Sequence, residues 1–437
     1  MALTAIAFAA ALLAAAAPAQ ATPFPASITS DTTLTKASSP YEVTDDVTVV
    51  AGVKLTVEPG VVINFENHAI NAFGAIDATG TAANPIRFNY AGDTVHNPYN
   101  GRIFLIQTPN PSVFRHAAFD GSGVVAYSSK LTVSDSDFKE GPAITASGYE
   151  TGPDFVDTTI SGSRFDQSDV RLVAPRGTIS VTGNTFSRAN AGLAIGLAGK
   201  GNTTATITGN LIVENEYFGL TFSGTGSDWT ASIRDNTIFR NRINVYSTIP
   251  ASSTGSFAAS GNNILDALQY DWFVQDANGT GEYHAENNWW GTADGQEIGT
   301  GIFDHKDDPS RGTVDYTPYL TAPSATAPPI PAGPTVSARL GQVAVKGPAR
   351  AKVGKRLIYW VGVTNPGGAT ATGIELKVNG AGIKKFKAGG SIGAGASKVI
   401  KIGVRPKKPG KRKLTFAVTS ANAGKKTVTK RIFVRRR

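Results

Sequence analysis

Two aspartates and two arginines are the residues of this sequence whose chemistry could support catalysis. Asp271 and Asp276 flank the short run 272–275, and Arg171 and Arg242 lie upstream of it. A carboxylate can act as a general acid or base or bind a divalent cation, and an arginine can bind an acidic group of a substrate. We therefore take these four residues as candidate catalytic residues.

Aromatic residues surround the same part of the sequence. Tyr217, Tyr246, Tyr270 and Trp272 could stack on sugar rings if their side chains point outward, because a flat ring face packs well against the apolar face of a sugar. The competing interpretation is that these side chains pack in a hydrophobic core. They are the candidate substrate-binding residues.

The composition limits the metal chemistry of the chain. The 437 residues contain no Cys, which excludes a disulfide framework and a zinc-thiolate site, and the five His show no spacing suited to zinc. The segment 276–282 loosely resembles a calcium loop, with an Asx-rich turn as the alternative. The acids at 304, 307, 308 and 315 could bind calcium or be solvated. Calcium is thus the one cofactor considered, and no metal-ligand set is assigned.

An internal repeat indicates which elements position these residues. A short motif recurs along the chain with its asparagine displaced by 26 residues each time. The asparagines of this motif are Asn184, Asn210, Asn236, Asn262 and Asn288. A fixed period of this length is typical of a solenoid, in which each unit buries its apolar face by stacking on its neighbours. We predict a structural ladder of asparagines at a tight turn, where each adopts the left-handed conformation and bonds to the next.

The residues between the asparagines alternate in polarity with the period of β-strands. The runs 178–182 and 204–208 are examples, and each repeat has room for about three such strands. The 26-residue spacing predicts interior columns at Phe186, Ile212, Ile238, Ile264 and Trp290, and at Val181, Ile207, Ile233, Ala259 and Ala285.

Residues 41–320 resemble the right-handed parallel β-helix of the pectin-lyase-like superfamily. The similarity is carried by LTVEPGVVINF at 55–65, GTAANPIRF at 80–88, NNWWGT at 287–292 and GTVDYTPYL at 312–320. Enzymes of this superfamily act on polysaccharides: its lyases hold calcium with carboxylates and use an Arg or Lys as base, and its hydrolases use paired carboxylates. The resemblance implies a calcium-dependent lyase or a glycoside hydrolase acting on an acidic glycan as one alternative. The expected catalytic signatures are missing, so a noncatalytic scaffold is the other.

Charged residues at outward positions alternate in sign from one repeat to the next. The two columns are Arg188, Glu214, Arg240 and Asp266, and, upstream, Asp120, Lys139 and Asp166. Opposite charges on neighbouring strands stabilise a sheet, whereas carboxylate catalysis needs like charges close together. Neither Asp271 nor Asp276 has an acid 26 residues before it. We interpret these columns as structural pairing.

The last part of the chain differs from the rest in charge. Residues 334–437 contain 25 Lys and Arg and one acid, Glu375, whereas residues 1–333 contain 17 basic and 32 acidic residues. Strand-like runs separated by Gly and Pro predict a β-sandwich here, which resembles the immunoglobulin-like, cell-adhesion-related domains of secreted bacterial proteins. Its basic clusters would attract anionic cell-envelope polymers, with no specific nucleic acid expected. The candidate polyanion-binding residues are Lys384, Lys385, Lys407, Lys408, Lys411, Arg412 and Lys413.

The predicted fold class is all-β, with a right-handed parallel β-helix followed by an antiparallel immunoglobulin-like β-sandwich. The predicted segments are a signal peptide (1–21), a lead-in (22–40), the β-helix (41–320), a Pro/Ala-rich linker expected to be a semi-rigid spacer (321–335) and the basic sandwich (336–437). We expect a secreted or surface protein without a transmembrane anchor. It would bind polysaccharide or serve as an adhesive scaffold, held to an anionic envelope or matrix polymer by its basic domain. An enzyme, or a periplasmic or surface maturation factor, are the alternatives.

Overall fold

The structure, a computed structural model, describes residues 21–92, 99–148, 155–174, 176–199, 201–275, 281–331, 338, 340–341, 343–366 and 370–436. The predicted signal peptide, apart from Ala21, and the candidate Asp276 lie outside these residues. The chain divides into two compact units, residues 1–330 and 331–437. No helix within the described ranges is long and apolar enough to cross a membrane.

The first unit is a parallel β-helix in which the chain visits three sheets in turn and pairs each strand with its counterpart one coil later. The first sheet contains Thr22–Pro23, Tyr41–Val43, Val62–Phe65, Ile86–Tyr90, Ala117–Asp120, Asp137–Lys139, Arg164–Asp166, Thr185–Ser187, Leu211–Val213, Thr237–Phe239 and Asn263–Leu265. The second contains Ser27–Ile28, Val47–Val49, Ile70–Ala72, Arg102–Ile106, Gly123–Tyr127, Ile144–Ser147, Val170–Ala174, Ala191–Leu197, Phe218–Gly224, Ile243–Thr248, Tyr270–Val274 and Ile302–Phe303. The third contains Thr32–Leu34, Lys54–Val57, Ala75–Thr79, Ser112–Arg115, Lys130–Ser134, Asp157–Ser161, Gly177–Thr182, Thr203–Thr208, Trp229–Arg234, Ser256–Ser260, Glu282–His284 and Thr313–Asp315.

The stacking starts at Thr22, inside the segment expected to be a lead-in, because residues 22–34 already supply one strand to each sheet. Two short helices interrupt the coils: the 3₁₀ helix Lys36–Ser38 and the α-helix Gly295–Gly301. Asp294 caps the α-helix by accepting hydrogen bonds from the backbone N–H groups of Gln296 and Glu297.

Alternation along each strand sends every second side chain into the interior, where both predicted columns are buried. In-register stacking brings identical residues together along the axis. Five phenylalanines form one such file, with ring centroids 4.3 to 4.9 Å apart and interplanar angles of 3 to 15°. They are Phe88, Phe119, Phe138, Phe165 and Phe186. Removing this apolar surface from water is the main term stabilising the unit.

The repeated asparagines form a continuous hydrogen-bonded ladder beside the first sheet. From Asn210 onward, each Oδ1 accepts from the backbone N–H and from the Nδ2 of the asparagine one coil earlier, at 2.9 to 3.0 Å. All five side chains are buried. Ser163 and Ser136 continue the ladder upstream, since Ser163 N–H donates to Asn184 Oδ1 and Ser136 N–H donates to Ser163 Oγ.

The expectation of left-handed asparagines is wrong. The positive φ belongs to the residue before each asparagine, with values of 55 to 69° at Gly183, Gly209, Asp235, Gly261 and Asn287. The asparagine itself stays in an ordinary conformation, which leaves its amide free to point along the solenoid axis. The turn thus needs glycine or a short polar residue one position earlier than predicted.

The segment that follows the last coil packs on the outer surface of the first sheet. Ser324 N–H donates to Asn263 Oδ1 at 2.8 Å, and Thr326 Oγ1 donates to Asp235. Thr237 Oγ1 donates to the carbonyl of Pro328. This segment, residues 321–330, therefore belongs to the first unit, although its prolines keep it out of the sheet ladders. We call it the strap.

The second unit is a β-sandwich with its own hydrophobic core. Its small sheet contains Val343–Lys346, Leu357–Thr364 and Ser397–Val404 in this order. Its large sheet is ordered Arg350–Lys352, Lys425–Arg435, Gly410–Thr419, Ala371–Gly380 and Ile383–Ile392, and all its pairs except the first are antiparallel. The predicted all-β fold with a β-helix and an immunoglobulin-like sandwich is confirmed.

Candidate functional site

Aromatic side chains form a stripe on the outer surface of the second sheet in the last coils. In strand Tyr270–Val274 the side chain of Trp272 points inward and that of Phe273 outward, as strand alternation requires. The sheet register places Tyr246 beside Phe273, and Phe273 beside Phe303. Three successive rungs thus present an aromatic ring at the same outward position.

These rings are stacked nearly parallel. The centroids of Tyr246 and Phe273 are 5.6 Å apart with planes at 4°, and those of Phe273 and Phe303 are 5.0 Å apart at 7°. The ring centroids of Phe218 and Tyr246 are 4.7 Å apart and those of Tyr270 and Phe303 are 5.3 Å apart, and in both pairs the planes are tilted. The ring centroids of Tyr217 and Phe218 are 6.4 Å apart, and Tyr217 is 43% exposed. We define the aromatic face as Tyr217, Phe218, Tyr246, Tyr270, Phe273 and Phe303.

Two guanidinium groups lie against this face. Arg311 is 5.1 Å from the ring centres of both Phe273 and Phe303. Its position is fixed by Asp308, which accepts from Nε at 3.1 Å, and by the Val274 carbonyl, which accepts from Nη1 at 2.6 Å. The Arg311 guanidinium therefore places a positive charge beside the half-buried rings, and cation–π contacts and hydrogen bonds fix its position.

The second guanidinium belongs to Arg242, which lies 5.5 Å from the Tyr217 ring and donates from Nε to Gln269 Oε1 at 3.2 Å. It is exposed, so its remaining donors face solvent. The arrangement can bind a flat ligand with an apolar surface through the rings and its acidic groups through the arginines.

One predicted substrate-binding residue does not belong to this face. Trp272 is fully buried, and its indole Nε1 donates to Ser247 Oγ at 2.8 Å in the interior. The prediction that it stacks on a substrate is therefore wrong, because adjacent residues of a strand cannot both point outward. Phe303 was not predicted: 30 residues separate it from Phe273, and the helix Gly295–Gly301 fills the interval.

Asp271 is part of a second amide ladder and not of an open acid–base pair. Asn215 donates to Asn241, Asn241 to Asn244, and Asn244 Nδ2 to Asp271 Oδ1 at 2.8 Å. Asp271 Oδ1 also accepts from the backbone N–H of Ala267 at 3.1 Å. Burial raises the pKa of Asp271 to about 7, although both hydrogen bonds oppose the rise. Its hydrogen bonds give it a structural role in the coil.

Among the described candidate catalytic residues, Arg171, Arg242 and Asp271, no hydrogen bond or ion pair joins any two. Arg171 is exposed on the strand Val170–Ala174, three rungs below Tyr246 in the same outward column. At about 4.8 Å per rung the separation is about 14 Å. Arg242 contacts Tyr217, and Asp271 is engaged in its ladder.

A groove of about 360 Å³ lies on the outer surface of the first sheet in the upstream coils. Its lining includes His116, Asp120, Asp137 and Lys139. The register places Lys139 between Asp120 and Asp166, so opposite charges are neighbours as predicted for structural pairing. The groove is therefore lined by charges of both signs and not by a cluster of acids.

The acids of the closing segment bond to their own turns. Asp304 Oδ2 accepts from the backbone N–H of Val314 at 3.0 Å, and Asp308 bonds to Arg311. Asp315 accepts from the backbone N–H two residues later at 3.1 Å. Across the described ranges, no group of three or more His, Cys, Asp or Glu could hold a metal ion. The arrangement gives no support to the calcium considered above.

The candidate polyanion-binding residues lie in the second unit, and all seven are exposed. Two are at the start of the strand Ile383–Ile392, two in the turn 405–409, and three at the start of the strand Gly410–Thr419. The topology of the large sheet brings these segments to the same end of the sandwich.

Comparison with known proteins places the first unit in a family. No curated protein matches the chain. Among solved structures, the CARDB domain of the PF1109 protein from Pyrococcus furiosus, whose title describes a complex with di-metal ions, is 24% identical and covers 23% of this chain and 94% of its own, with a TM-score of 0.20. Red sea bream transglutaminase is also 24% identical, covers 22% of this chain and 15% of its own, and has a TM-score of 0.20. Residues 44–268, more than half of the chain, match the family described as "Periplasmic copper-binding protein (NosD)". The chain therefore belongs to the NosD family of periplasmic parallel β-helix proteins.

Proposed function

We propose that this chain is a noncatalytic periplasmic scaffold that binds a polysaccharide on its aromatic face. The observation that carries the proposal is the stack of Tyr246, Phe273 and Phe303, which repeats one ring per rung on an outward surface. Because these rings stack on one another along the axis, they present their edges outward. The carbon-bound hydrogens of a sugar ring can pack against these apolar edges, and the release of water makes the contact favourable. A polymer laid along the solenoid axis would meet the rings in succession.

The two arginines favour an acidic polysaccharide over a neutral one. Arg311 and Arg242 lie at the edges of the ring stack, and the exposed Arg242 can donate hydrogen bonds to a ligand as well as to Gln269. A guanidinium forms two parallel hydrogen bonds with a carboxylate, which adds both binding energy and orientation. We therefore assign a uronate-containing glycan as the preferred ligand class.

Catalysis has less support than binding. A glycoside hydrolase needs two carboxyl groups facing each other across the scissile bond, and a lyase needs a base beside a cation that stabilises the substrate acid. Asp271 Oδ1 is engaged in the amide ladder, and Arg171 lies about three rungs from the ring stack. Among the residues that the structure describes, neither the carboxyl pair nor the base with its cation is assembled on the aromatic face.

The family description names copper, which prefers Cys, Met and His ligands. The sequence has no Cys and a single Met, at position 1. Of the described histidines, His284 bonds to Glu286 and His305 to the Arg311 carbonyl, at separate places in the coils. The described residues do not fit a copper centre, so the proposed function does not use one.

Retention of the full mature chain on immobilised polygalacturonate, compared with a neutral glucan, tests the proposal. Tyr246→Ala and Phe303→Ala should each weaken retention about fivefold, since one aromatic contact contributes about 1 kcal/mol. Phe73→Ala is the matched control, because Phe73 is a similarly exposed aromatic residue, 40% accessible, in an early coil. Equal retention of all variants would refute the aromatic face, and release of unsaturated uronate or new reducing ends would show an enzyme.

A further inference from the structure

Three loops of the sandwich that are far apart in sequence meet at one end of it. Gly354 N–H donates to the Pro406 carbonyl at 2.8 Å, and Lys407 N–H donates to the Ala381 carbonyl at 2.9 Å. The last residues of the strand Lys425–Arg435 lie beside the start of Gly410–Thr419, with Lys411 opposite Phe433. We call this region, formed by the loops 353–356, 380–382 and 405–409 and by these two strand ends, the basic end.

The basic end carries cations from each of its segments except the loop 380–382. Lys355, Lys407, Lys408, Lys411, Arg412 and Arg435 are all exposed. The only acid after residue 334 is Glu375, which pairs with Lys377 at 3.4 Å. Glu375 lies five residues from Gly380 on an extended strand, about 17 Å away at about 3.3 Å per residue. This distance exceeds the physiological screening length of about 8 Å, so the cations are not compensated within the domain.

Two exposed phenylalanines lie on the outer surface of the large sheet: Phe433 in a strand end that forms the basic end, and Phe386 three residues into the strand that follows the loop 380–382, about 10 Å from it. Phe386 is 65% exposed and lies beside Lys377, and Phe433 is 43% exposed and lies between Lys411 and Arg350. Phe433 points away from the hydrophobic core, which takes its strand neighbours Ile432 and Val434, and Phe386 is paired with the exposed Lys377, whose own neighbours Leu376 and Val378 are in the core. Apolar rings among cations are the pattern of surfaces that enter the interface of a bilayer.

We propose that the basic end docks the protein on a bilayer surface that carries anionic phospholipids. The cations are attracted to the phosphate groups, and the two phenylalanines enter the headgroup region beside them. A soluble acidic polymer would also satisfy the cations, but Phe386 and Phe433 lie three strands apart in the large sheet and do not form a continuous stack like that of the aromatic face, whereas a bilayer surface takes up single apolar side chains. The family is periplasmic, so a bilayer bounds the compartment in which the chain works.

Co-sedimentation of the full mature chain with vesicles tests this proposal. Vesicles of phosphatidylglycerol and phosphatidylcholine should bind the chain at low ionic strength and release it as salt is raised, and vesicles of phosphatidylcholine alone should not bind it. The combined variant Lys407→Gln, Lys408→Gln and Lys411→Gln should bind about 100-fold more weakly, from the usual contribution of each cation near an anionic surface.

The matched control removes three lysines from the opposite end of the sandwich. Lys398, Lys425 and Lys426, changed to Gln together, lower the net charge equally, and binding should remain within about twofold. Phe386→Ser should weaken vesicle binding and leave any retention on immobilised polygalacturonate unchanged. Equal losses in both triple variants would refute a defined site. Absence of vesicle binding would overturn the membrane proposal, and a loss of polygalacturonate retention in the variant Lys407→Gln, Lys408→Gln and Lys411→Gln would then assign the basic end to a polysaccharide.

Discussion

Asp271 places a carboxyl group where the preceding members of its ladder are amides. Its raised pKa, about 7 against an ordinary 3.8, means that the folded state prefers the neutral acid. Below pH 4 the group is protonated in both states and has no effect on stability. Between pH 4 and 7 only the unfolded state ionises, so stability falls as pH rises, and the loss is complete above pH 7.

Asp271→Asn should therefore stabilise the protein at pH 8 by about 2 to 4 kcal/mol and leave its stability at pH 4 nearly unchanged. Asn retains an oxygen that can accept from Asn244 and Ala267. Urea unfolding of both proteins at the two pH values measures the difference. A variant that is less stable than the parent at pH 8 would show that the carboxylate itself is required, which would favour a functional role for this acid.

Adjacent aromatic residues show what strand alternation alone can decide. Trp272 and Phe273 are neighbours on one strand, so one must be interior and the other exposed. The 26-residue period does not give the choice, because it aligns Trp272 with the outward Tyr246, whereas the sheet register pairs Trp272 with the interior Val245, 27 positions earlier. The one-residue difference between this coil and the period reverses which of the two aromatic residues is exposed.

At the scale of the coil, Asn236 is the central member of the asparagine ladder. Its Oδ1 accepts two hydrogen bonds from Asn210, and its Nδ2 donates to Asn262 and to the carbonyls of Ile207 and Arg234. Asn236→Ala leaves several buried polar groups without partners and should cost about 3 kcal/mol or more.

Thermal unfolding followed by circular dichroism measures the loss. Glu214→Gln is the control, since Glu214 is exposed in the adjacent turn and its neutralisation should change stability by less than about 0.5 kcal/mol. A loss at Asn236 as small as that of the control would mean that stacking of the apolar columns alone holds the coils in register.

The regular part of the solenoid follows from its period, and the irregular parts do not. Between Asn184 and Asn288 the spacing is constant, so the ladder and both interior columns can be read from the sequence. Upstream, serine replaces asparagine at 136 and 163 and the coils change length, so the same hydrogen bonds are made by a residue with no visible motif. Phe303 and Arg311 complete the aromatic face from the closing segment, where the period no longer applies.

At the scale of the whole molecule, the predicted export and the family agree on the compartment in which the chain works. The predicted export is confirmed by membership of a periplasmic family. The acidic β-helix and the basic sandwich are separate compact units, so each can carry its own binding surface. The aromatic face and the basic end are proposed for two different ligands, and variants of one should leave the binding of the other unchanged.

The strap sets the end of the first unit, because it covers outward side chains of the first sheet. At outward positions of the first sheet, Thr237, Phe239, Asn263 and Leu265 are nevertheless buried, at 0 to 8% exposure. The strap bonds to two of these residues, so we infer that it also covers the apolar pair. A chain ending at residue 330 should keep this cover, whereas one ending at residue 320 should expose it.

Thermal scans of the two truncated chains, each starting at Thr22, measure the effect of the strap. Losing the apolar cover and the hydrogen bonds to Asn263 and Thr237 should cost about 2 kcal/mol or more, which lowers the Tm of the shorter chain by several degrees. The shorter chain should also bind a hydrophobic dye more strongly, because Phe239 and Leu265 become accessible. Identical transitions and dye binding would place the strap outside the cooperative unit and restore residues 321–330 to the role of a spacer.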